Sequence, residues 1–426
     1  MRLSSKLLGR ERQASQAFIL ITVFLDVLGI GLIIPVLPTL VGQFTSGPDE
    51  QAHWYGILAA TYGVMQFFCT PMLGALSDRF GRRPVLLLSI LGLGISLLVQ
   101  AMATTLTTML LIRIVSGGTA SSFSVANAYM ADVTPPEQRG KGFGMLGAAF
   151  GMGFIFGPML GGLLGGHDVR LPFFVAAGMA LLNWLYGYFV LPESLPPERR
   201  TAFSFKRANP FSALLNLSRL HGVGGLLGVF ALTMFAQFIL QTTWVLYTQF
   251  RFGWGPAQNG LALFCVGLIG AVVQGGFQGR LLNHFGERKL ALLGLASAAI
   301  AFACYGLATA GWVMYVVMFG NFLAYATAPA MQAIVSKAVG PSEQGLTQGT
   351  LNAINSLAII FAPLFGTTLL ARVSHLPAQD WRMGATFYVC ALLQGGALLL
   401  AWLHFRRHAE PAGPEAANAP EYQESV

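Results

Sequence analysis

Apolar residues recur along this chain in runs of about 20, separated by short polar segments. The runs fall near residues 16–39, 54–77, 84–103, 105–130, 141–165, 171–191, 222–247, 257–280, 289–308, 311–336, 345–370 and 383–404. A helix of that length crosses the roughly 30 Å hydrocarbon core of a bilayer. The pattern therefore predicts twelve membrane spans, numbered 1 to 12 in chain order. The longest interior polar stretch, Pro192 to His221, contains Pro192, Pro196, Pro197 and Pro210 and divides the spans six and six. The expected fold class is an all-α membrane protein of two pseudo-symmetric six-helix bundles. Residues 1–191 form the first bundle, 192–221 a cytoplasmic linker, 222–404 the second bundle and 405–426 a disordered cytoplasmic tail, acidic and Pro/Ala-rich from Glu410 onward.

An internal repeat supports that division. The turn Gly74-Ala75-Leu76-Ser77-Asp78-Arg79-Phe80-Gly81-Arg82-Arg83-Pro84 returns in decayed form as Gly279 to Lys289. At one shift of 205 residues Gly81 meets Gly286, Pro158 meets Pro363 and Gly161 meets Gly366; at 206, Pro135, Glu137 and Gln138 meet Pro341, Glu343 and Gln344. Duplicated bundles of membrane helices are the architecture of alternating access.

Composition excludes a water-soluble domain. Only 10% of residues are charged and 54% are hydrophobic, against about 25% charged in soluble domains. The 51 glycines suit close helix packing in lipid. Cys69, Cys265, Cys304 and Cys390 lie in apolar runs without metal-ligand spacing and read as small buried side chains. Met1 to Gln16 is basic and polar, and the run after it is too long for the core of a cleavable signal.

The net charge of +8 is no sign of a nucleic-acid partner, because the basic residues sort by side. Twenty of the 25 Lys and Arg fall in the termini, the alternate loops joined to them and the linker; Arg170, Arg251, Arg372 and Arg382 fall on the other side. By the positive-inside rule both termini are cytoplasmic. The remaining cation, Arg113, lies within span 4, and Asp26 in span 1 is the one carboxylate near the bilayer middle.

A charge at such depth costs about 2.5–3.5 kcal/mol on insertion scales and normally has a functional reason. Counted from the outer helix ends, Asp26 and Arg113 differ in depth by roughly 7 Å at 1.5 Å rise per residue, which an arginine side chain bridges if the helices are neighbours. Two readings follow. One is a static ion pair locking two helices. The other is a carboxyl at Asp26 that binds and releases a proton as access alternates, with Arg113 as its partner in proton coupling.

Gly153, Gly157, Gly161 and Gly165 repeat every four residues along span 5 and present a bare face, and Pro158 permits a bend there. The turn at 74–84 reads as a latch between conformations. Asp78 is placed to face the positive N-terminal end of another helix, such as span 11 near Gly345, and Arg79, Arg82 and Arg83 suit lipid phosphates or acidic partners. Gating is thus expected from Asp78, Arg79, Arg82, Gly153, Gly157 and Pro158. Among the polar residues inside spans, Gln66, Gln237, Gln241, Asn321 and Asn355 are candidates for a substrate path, although any one such residue is more often an interhelical hydrogen bond than a ligand contact.

These segments resemble the major facilitator superfamily across spans 1 to 12. The 74–84 turn is similar to its Gly-x-Leu-x-Asp-Arg-x-Gly-Arg-Arg loop motif, Arg113 with Gly117 to its span-4 motif, and Gly153 to Gly162 to the span-5 motif of antiporters. More narrowly, Leu25 to Pro38, Ser77 to Leu88, Trp244-Val245-Leu246 and Arg251-Phe252-Gly253-Trp254 resemble the bacterial tetracycline/proton antiporters. The resemblance implies export of a drug, typically tetracycline as a divalent-metal chelate, in exchange for a proton. It implies functional roles for Asp26, Arg113 and Asp78, no bound cofactor, and a bacterial inner membrane as the location. The expected partners are small-molecule substrate, protons and membrane lipids, with the chain acting as a monomer. Where well-studied members carry aspartates in spans 3 and 9, this chain has Ser96 and Ala298. A proton-coupled metabolite transporter is the alternative on the same fold. A channel or membrane sensor fits the duplicated halves less well, and an enzyme lacks any nucleophile–base pair, metal cluster or phosphate loop to act through.

Overall fold

Gly81 and Gly286 turn the chain at equivalent points of its two halves. The computed structural model describes residues 2–204, 224–338 and 344–407. In it Gly81 has φ 106° and ψ 160°, and Gly286 has φ 72° and ψ 163°. A side chain would strain this conformation, so the glycines, 205 residues apart, are needed for the hairpin between successive spans.

Spans 1 to 6 are Arg2–Ile33, Pro48–Phe80, Arg82–Met102, Leu106–Gly118 with Ser122–Val133, Arg139–Gly165 and Leu171–Val190. Span 7 is Gly224–Phe252, and spans 8 and 9 share the 52-residue stretch Pro256–Leu307, divided by the Gly286 turn. Span 10 is Gly311–Gly320 with Phe322–Ala338, span 11 is Gln344–Val373 and span 12 is Ala385–Arg407. Counted at that turn, the helices are consistent with twelve crossings.

Two boundaries differ from expectation. Span 1 ends at Ile33, and a turn at Ile34 to Val36 leads into the short helix Leu37–Gly42, entered through Pro38. Span 12 continues to Arg407, so the first residues of the expected tail are helical; 408–426 lie outside the described residues. Residues 192–204 of the linker run without helix apart from the single turn Pro197–Arg199, and 205–223 lie outside the described residues.

Two spans are broken at matching places. In span 4 the helix stops after Gly117-Gly118 and restarts at Ser122. In span 10 it stops at Gly320, passes through the 3-10 turn Phe322–Ala326 and restarts at Thr327, bending by 48°. Span 8 contains a π-helical turn, Val273–Phe277, around Gly275 and Gly276, and continues as α-helix from Gln278 to the Gly286 turn.

Within the first half span 1 packs on spans 5 and 6, span 3 on span 6, and span 2 on the first part of span 4; span 7 packs on 11 and 12 and span 9 on 12 in the second half. The halves meet through spans 5 and 8 and spans 2 and 11. These contacts lie away from the basic loops. A Cβ on Gly162 would come within 2.8 Å of Gly260 Cα, and one on Gly63 within 2.9 Å of the Ile359 carbonyl. Towards the basic side they cease. A Cβ at Gly140, Gly144, Gly147 or Gly151 of span 5, or at Gly275, Gly276 or Gly279, would meet nothing within 4 Å. The two halves are closed on one side and splayed on the side of the basic loops.

Candidate functional site

The splay leaves a cavity of about 680 Å³ between the basic-side parts of spans 2, 4 and 11. Gln66, Thr70, Ser124, Asn352, Asn355 and Ser356 give it neutral amides and hydroxyls, and Phe67, Phe123 and Ile359 give it apolar wall. Gln66 and Asn355 are thus brought together where a substrate could sit. The other three candidates are not. Asn321 is buried and accepts a hydrogen bond from Ser297 Oγ at 2.8 Å, so it ties span 10 to span 9. Gln237 is half-buried and Gln241 exposed on span 7, and neither lines this cavity.

Asp26 is 4% exposed and Arg113 8% exposed, so both charges are buried as depth predicted. They form no ion pair with each other. The break in span 4 explains this. Asp26 on span 1 meets the second piece of span 4, Ser122–Val133, whereas Arg113 sits on the first piece, which packs on spans 2 and 3. The Arg113 guanidinium lies 5.6 Å from the ring centre of Tyr62, with its Nε unpartnered. Both carboxylate oxygens of Asp26 also lack a partner; Ser122 and Asn183 face them without closing to a hydrogen bond. The static ion-pair reading is thereby set aside.

At the basic ends of spans 2, 3 and 4 the 74–84 turn forms a charge cluster. Arg82 pairs with Asp78, donates from Nε to Asp132 Oδ2 at 3.2 Å and from Nη1 to Ser77 Oγ at 2.7 Å. Glu193, from the linker, accepts the Arg82 N–H at 2.8 Å and the Arg83 N–H at 3.2 Å. It caps the first turn of span 3, whose amides have no intrahelical acceptor. Ser194 Oγ donates to Asp132 Oδ2 at 3.2 Å. The expected contact of Asp78 with the start of span 11 is absent among the described residues. The cavity separates span 2 from span 11 there, and Asp78 instead borders Thr201, Ala202 and Ser204. Arg79 is exposed and stacks 5.1 Å over Phe80.

Gly153, Gly157 and Gly161 do admit a backbone, and it is that of span 1. A Cβ on Gly153 would lie 2.9 Å from the Leu28 nitrogen, and one on Gly157 would lie 2.7 Å from Gly31 Cα. Pro158 also reaches across: a Cβ on Gly260 of span 8 would come within 2.5 Å of its carbonyl oxygen. The span-5 motif therefore fixes the helix carrying Asp26 on one face and the other half of the molecule on the next. Ser96 and Ala298 are both buried, and neither lines the cavity.

Glu193, Ser122 and Asn183 escaped the sequence reading. Gly117-Gly118 followed by Thr119, Ser121 and Ser122 inside an apolar run was the available signal for a broken helix with a polar restart. Glu193, reaching in from the linker, left no local signal.

The sequence profile of the Major Facilitator Superfamily matches residues 19–328 and 226–423. The class C tetracycline resistance protein of Escherichia coli is 38% identical over 375 residues, covering 88% of this chain and 94% of that protein. The class G protein of Vibrio anguillarum is 35% identical, covering 89% and 96%. Among solved structures, the human organic anion transporter MFSD10 (TETRAN) superposes with a TM-score of 0.66 at 26% identity, covering 92% of this chain and 99% of that one. Splayed halves around a polar cavity, a duplicated turn and these matches agree: the chain is a multi-pass membrane transporter of the major facilitator superfamily.

Proposed function

We propose that this chain is a proton-driven antiporter of the bacterial inner membrane that exports tetracyclines and related amphipathic compounds. Asp26 carries the exchanged proton, and the basic side, with both termini, faces the cytoplasm. The observation that supports this most directly is a buried carboxylate with two unpartnered oxygens, placed behind a cavity that opens to one side only. Among the described residues, no other carboxylate lies in the apolar part of a span away from its ends; Glu11 of span 1 precedes the apolar stretch that begins at Gln16. Arg113, unpaired and beside Tyr62, adds a fixed positive charge to the same half. Gln66 and Asn355 contact substrate. The metal of a tetracycline chelate would travel as part of the cargo, held by the drug's own oxygens and met by the neutral amides of the cavity. The chain acts as a monomer, its two halves forming one pathway.

The identity to two tetracycline resistance proteins over nearly their whole length supports the choice of drug. A second reading, a carrier of organic anions, is favoured by the lack of any acidic side chain on the cavity wall and by the likeness to MFSD10. The test is uptake of radiolabelled tetracycline, with magnesium, into everted vesicles under an imposed pH gradient. Uptake that collapses with the gradient is expected. Gradient-driven uptake of organic anions with none of tetracycline would replace the first reading by the second.

A further inference from the structure

The second piece of span 4 begins in the middle of the membrane with its first turn uncapped. Ser121 supplies no side-chain cap, and the amides of Ser122, Phe123 and Ser124 have no intrahelical acceptor. Such an end carries a partial positive charge and aims N–H groups outward. Asp26, 96% buried by its 4% exposure, has both oxygens without a partner and is faced by Ser122. Asn183 completes the group. Its Oδ1 accepts from Thr22 Oγ1 at 3.3 Å, which leaves its Nδ2 donor free, and that donor is unpartnered. Unmet donors and unmet acceptors thus occupy one place.

Among the described residues, no charged side chain on the spans packed against Asp26 competes for it. Span 1 has no other charge between Gln16 and Ile33, and span 6 has none between Leu171 and Val190. On span 5 the charges are Arg139 and Lys141, at its basic end; on the second piece of span 4 the only one is Asp132, tied to Arg82. Arg113 is on the far piece of span 4, over Tyr62.

We infer that deprotonated Asp26 is held by the uncapped N-terminus of Ser122–Val133, with Ser122 and Asn183 as positioning residues, and not by Arg113. The inference rests on Asp26 being the proton carrier. On release, the Asp26 carboxyl gives its proton to water entering from the cavity, which Phe123 and Ser124 line beside this helix end. The carboxylate then accepts from the Ser122 hydroxyl, the first-turn amides and the Asn183 amide. Rebinding a proton frees those donors again. A helix end needs no side-chain rearrangement to act as counter-charge, so the carboxylate is stabilised in place as access alternates.

The second half repeats the frame without the acid. Thr327 restarts span 10 at the position 205 residues after Ser122, and its hydroxyl is unpartnered. On span 7 the position that matches Asp26, counted from the equivalent hydrogen bonds of Thr22 and Thr233, holds the neutral Gln237.

The test is the pH dependence of gradient-driven transport in everted vesicles for Ser122→Ala, Asn183→Leu and Ser122→Thr, at matched membrane abundance. Ala is a strong helix former, so Ser122→Ala keeps the half-helix. Ser122→Ala and Asn183→Leu are each expected to move half-maximal transport about one unit towards higher pH, a tenfold change in proton occupancy. Ser122→Thr, which keeps the hydroxyl, is expected to retain the original profile. Unchanged profiles for Ser122→Ala and Asn183→Leu, or a shift with Arg113→Gln alone, would overturn the inference. Asp26→Asn separates the two levels. If it still transports against the gradient, the role of Asp26 as carrier fails; if it does not, while Ser122→Ala is unshifted, only the helix-end inference fails.

Discussion

Thr22 donates to Asn183 across spans 1 and 6, and the same bond recurs from Thr233 to Gln394 across spans 7 and 12, each pair separated by 161 residues. The shift between the pairs, 211 residues from Thr22 to Thr233, carries Asp26 onto Gln237. One helical turn beyond the threonine, the first half holds an acid and the second its uncharged counterpart. A second pair makes the same point at the basic side. Arg82 and Asp132, 50 residues apart, are matched by Glu287 and Lys337, also 50 apart, with the charges exchanged. The duplication has kept positions while changing the chemistry placed on them.

Gln237→Glu should therefore create a second titratable site. The cost of a mid-membrane acid, about 2.5–3.5 kcal/mol on insertion scales, is offset in part by the half-helix starting at Thr327, so the variant is expected to reach the membrane. Proton flux per substrate exported, measured in proteoliposomes, is expected to rise. Placed on Asp26→Asn, the same change should return part of the lost pH dependence. An unaltered ratio, with no recovery in the double variant, would show that the equivalence is only geometric.

The exchanged charges at the basic side predict a tolerated swap. Arg82 is 13% exposed at its side chain and Asp132 is 23% exposed, so each loses a largely desolvated partner when the other is changed. Hydrogen bonds to charged groups contribute about 1.5–3 kcal/mol, reduced here by solvent at the rim. Arg82→Glu and Asp132→Lys alone should each lower thermal stability and transport. The double change, which reproduces the Glu287–Lys337 arrangement, should recover both in part. Asp78 loses its own partner in that variant, which limits the recovery. Additive losses in the double variant would count against a direct pair.

Gly260→Val should push the molecule out of this conformation. A Cβ there would stand 2.5 Å from the Pro158 carbonyl oxygen and 2.8 Å from Gly162 Cα, across the contact that closes the side away from the basic loops. Overpacking of this kind costs about 1–3 kcal/mol, enough to bias two states by tenfold or more. Gly147→Ala, whose added methyl meets nothing within 4 Å here, is the matched control for this conformation. Cysteine placed at Ser356 in the cavity should become less reactive in Gly260→Val, while gradient-driven transport falls. Equal reactivity with normal transport would mean that this contact does not gate.

Spans, halves and the internal repeat were legible because the bilayer demands long apolar runs, and because Gly81 and Gly286 must remain glycine to make their turns. Asp26 and Arg113 stood out for the same reason, as charges at forbidden depth. Their lack of contact did not. It follows from the break at Thr119 to Ser121, which splits span 4 between two neighbours, and a window wide enough to find a span averages over Thr119, Ser121 and Ser122. The partner of Asp78 was misplaced for a different reason. Which helices the 74–84 turn touches depends on the conformation, and a sequence records every conformation at once. The span-5 glycines were read correctly as a face for close approach, but only the packing shows that the approaching backbone is the one bearing Asp26.

Substrate range is the sharpest test of the reading as a whole. The cavity wall offers amides and hydroxyls from Gln66, Thr70, Ser124, Asn352, Asn355 and Ser356 but no carboxylate. Ser96 and Ala298, uncharged and buried, add no acid to it either. A cationic metal–drug chelate therefore meets little negative charge beyond Asp26, and Asp26 lies behind the helix end at Ser122 with Arg113 in the same half. Affinity must come from neutral hydrogen bonds and from the aromatic wall at Phe67 and Phe123, which do not discriminate strongly by charge. Expression in a susceptible, efflux-deficient bacterium should raise tetracycline resistance modestly, and resistance to neutral and anionic amphipathic compounds along with it. Asn355→Asp should shift that balance towards the chelate, since it puts a carboxylate on the wall. A large increase confined to tetracyclines, unaffected by Asn355→Asp, would overturn the broad range and move the recognition of the drug away from this cavity.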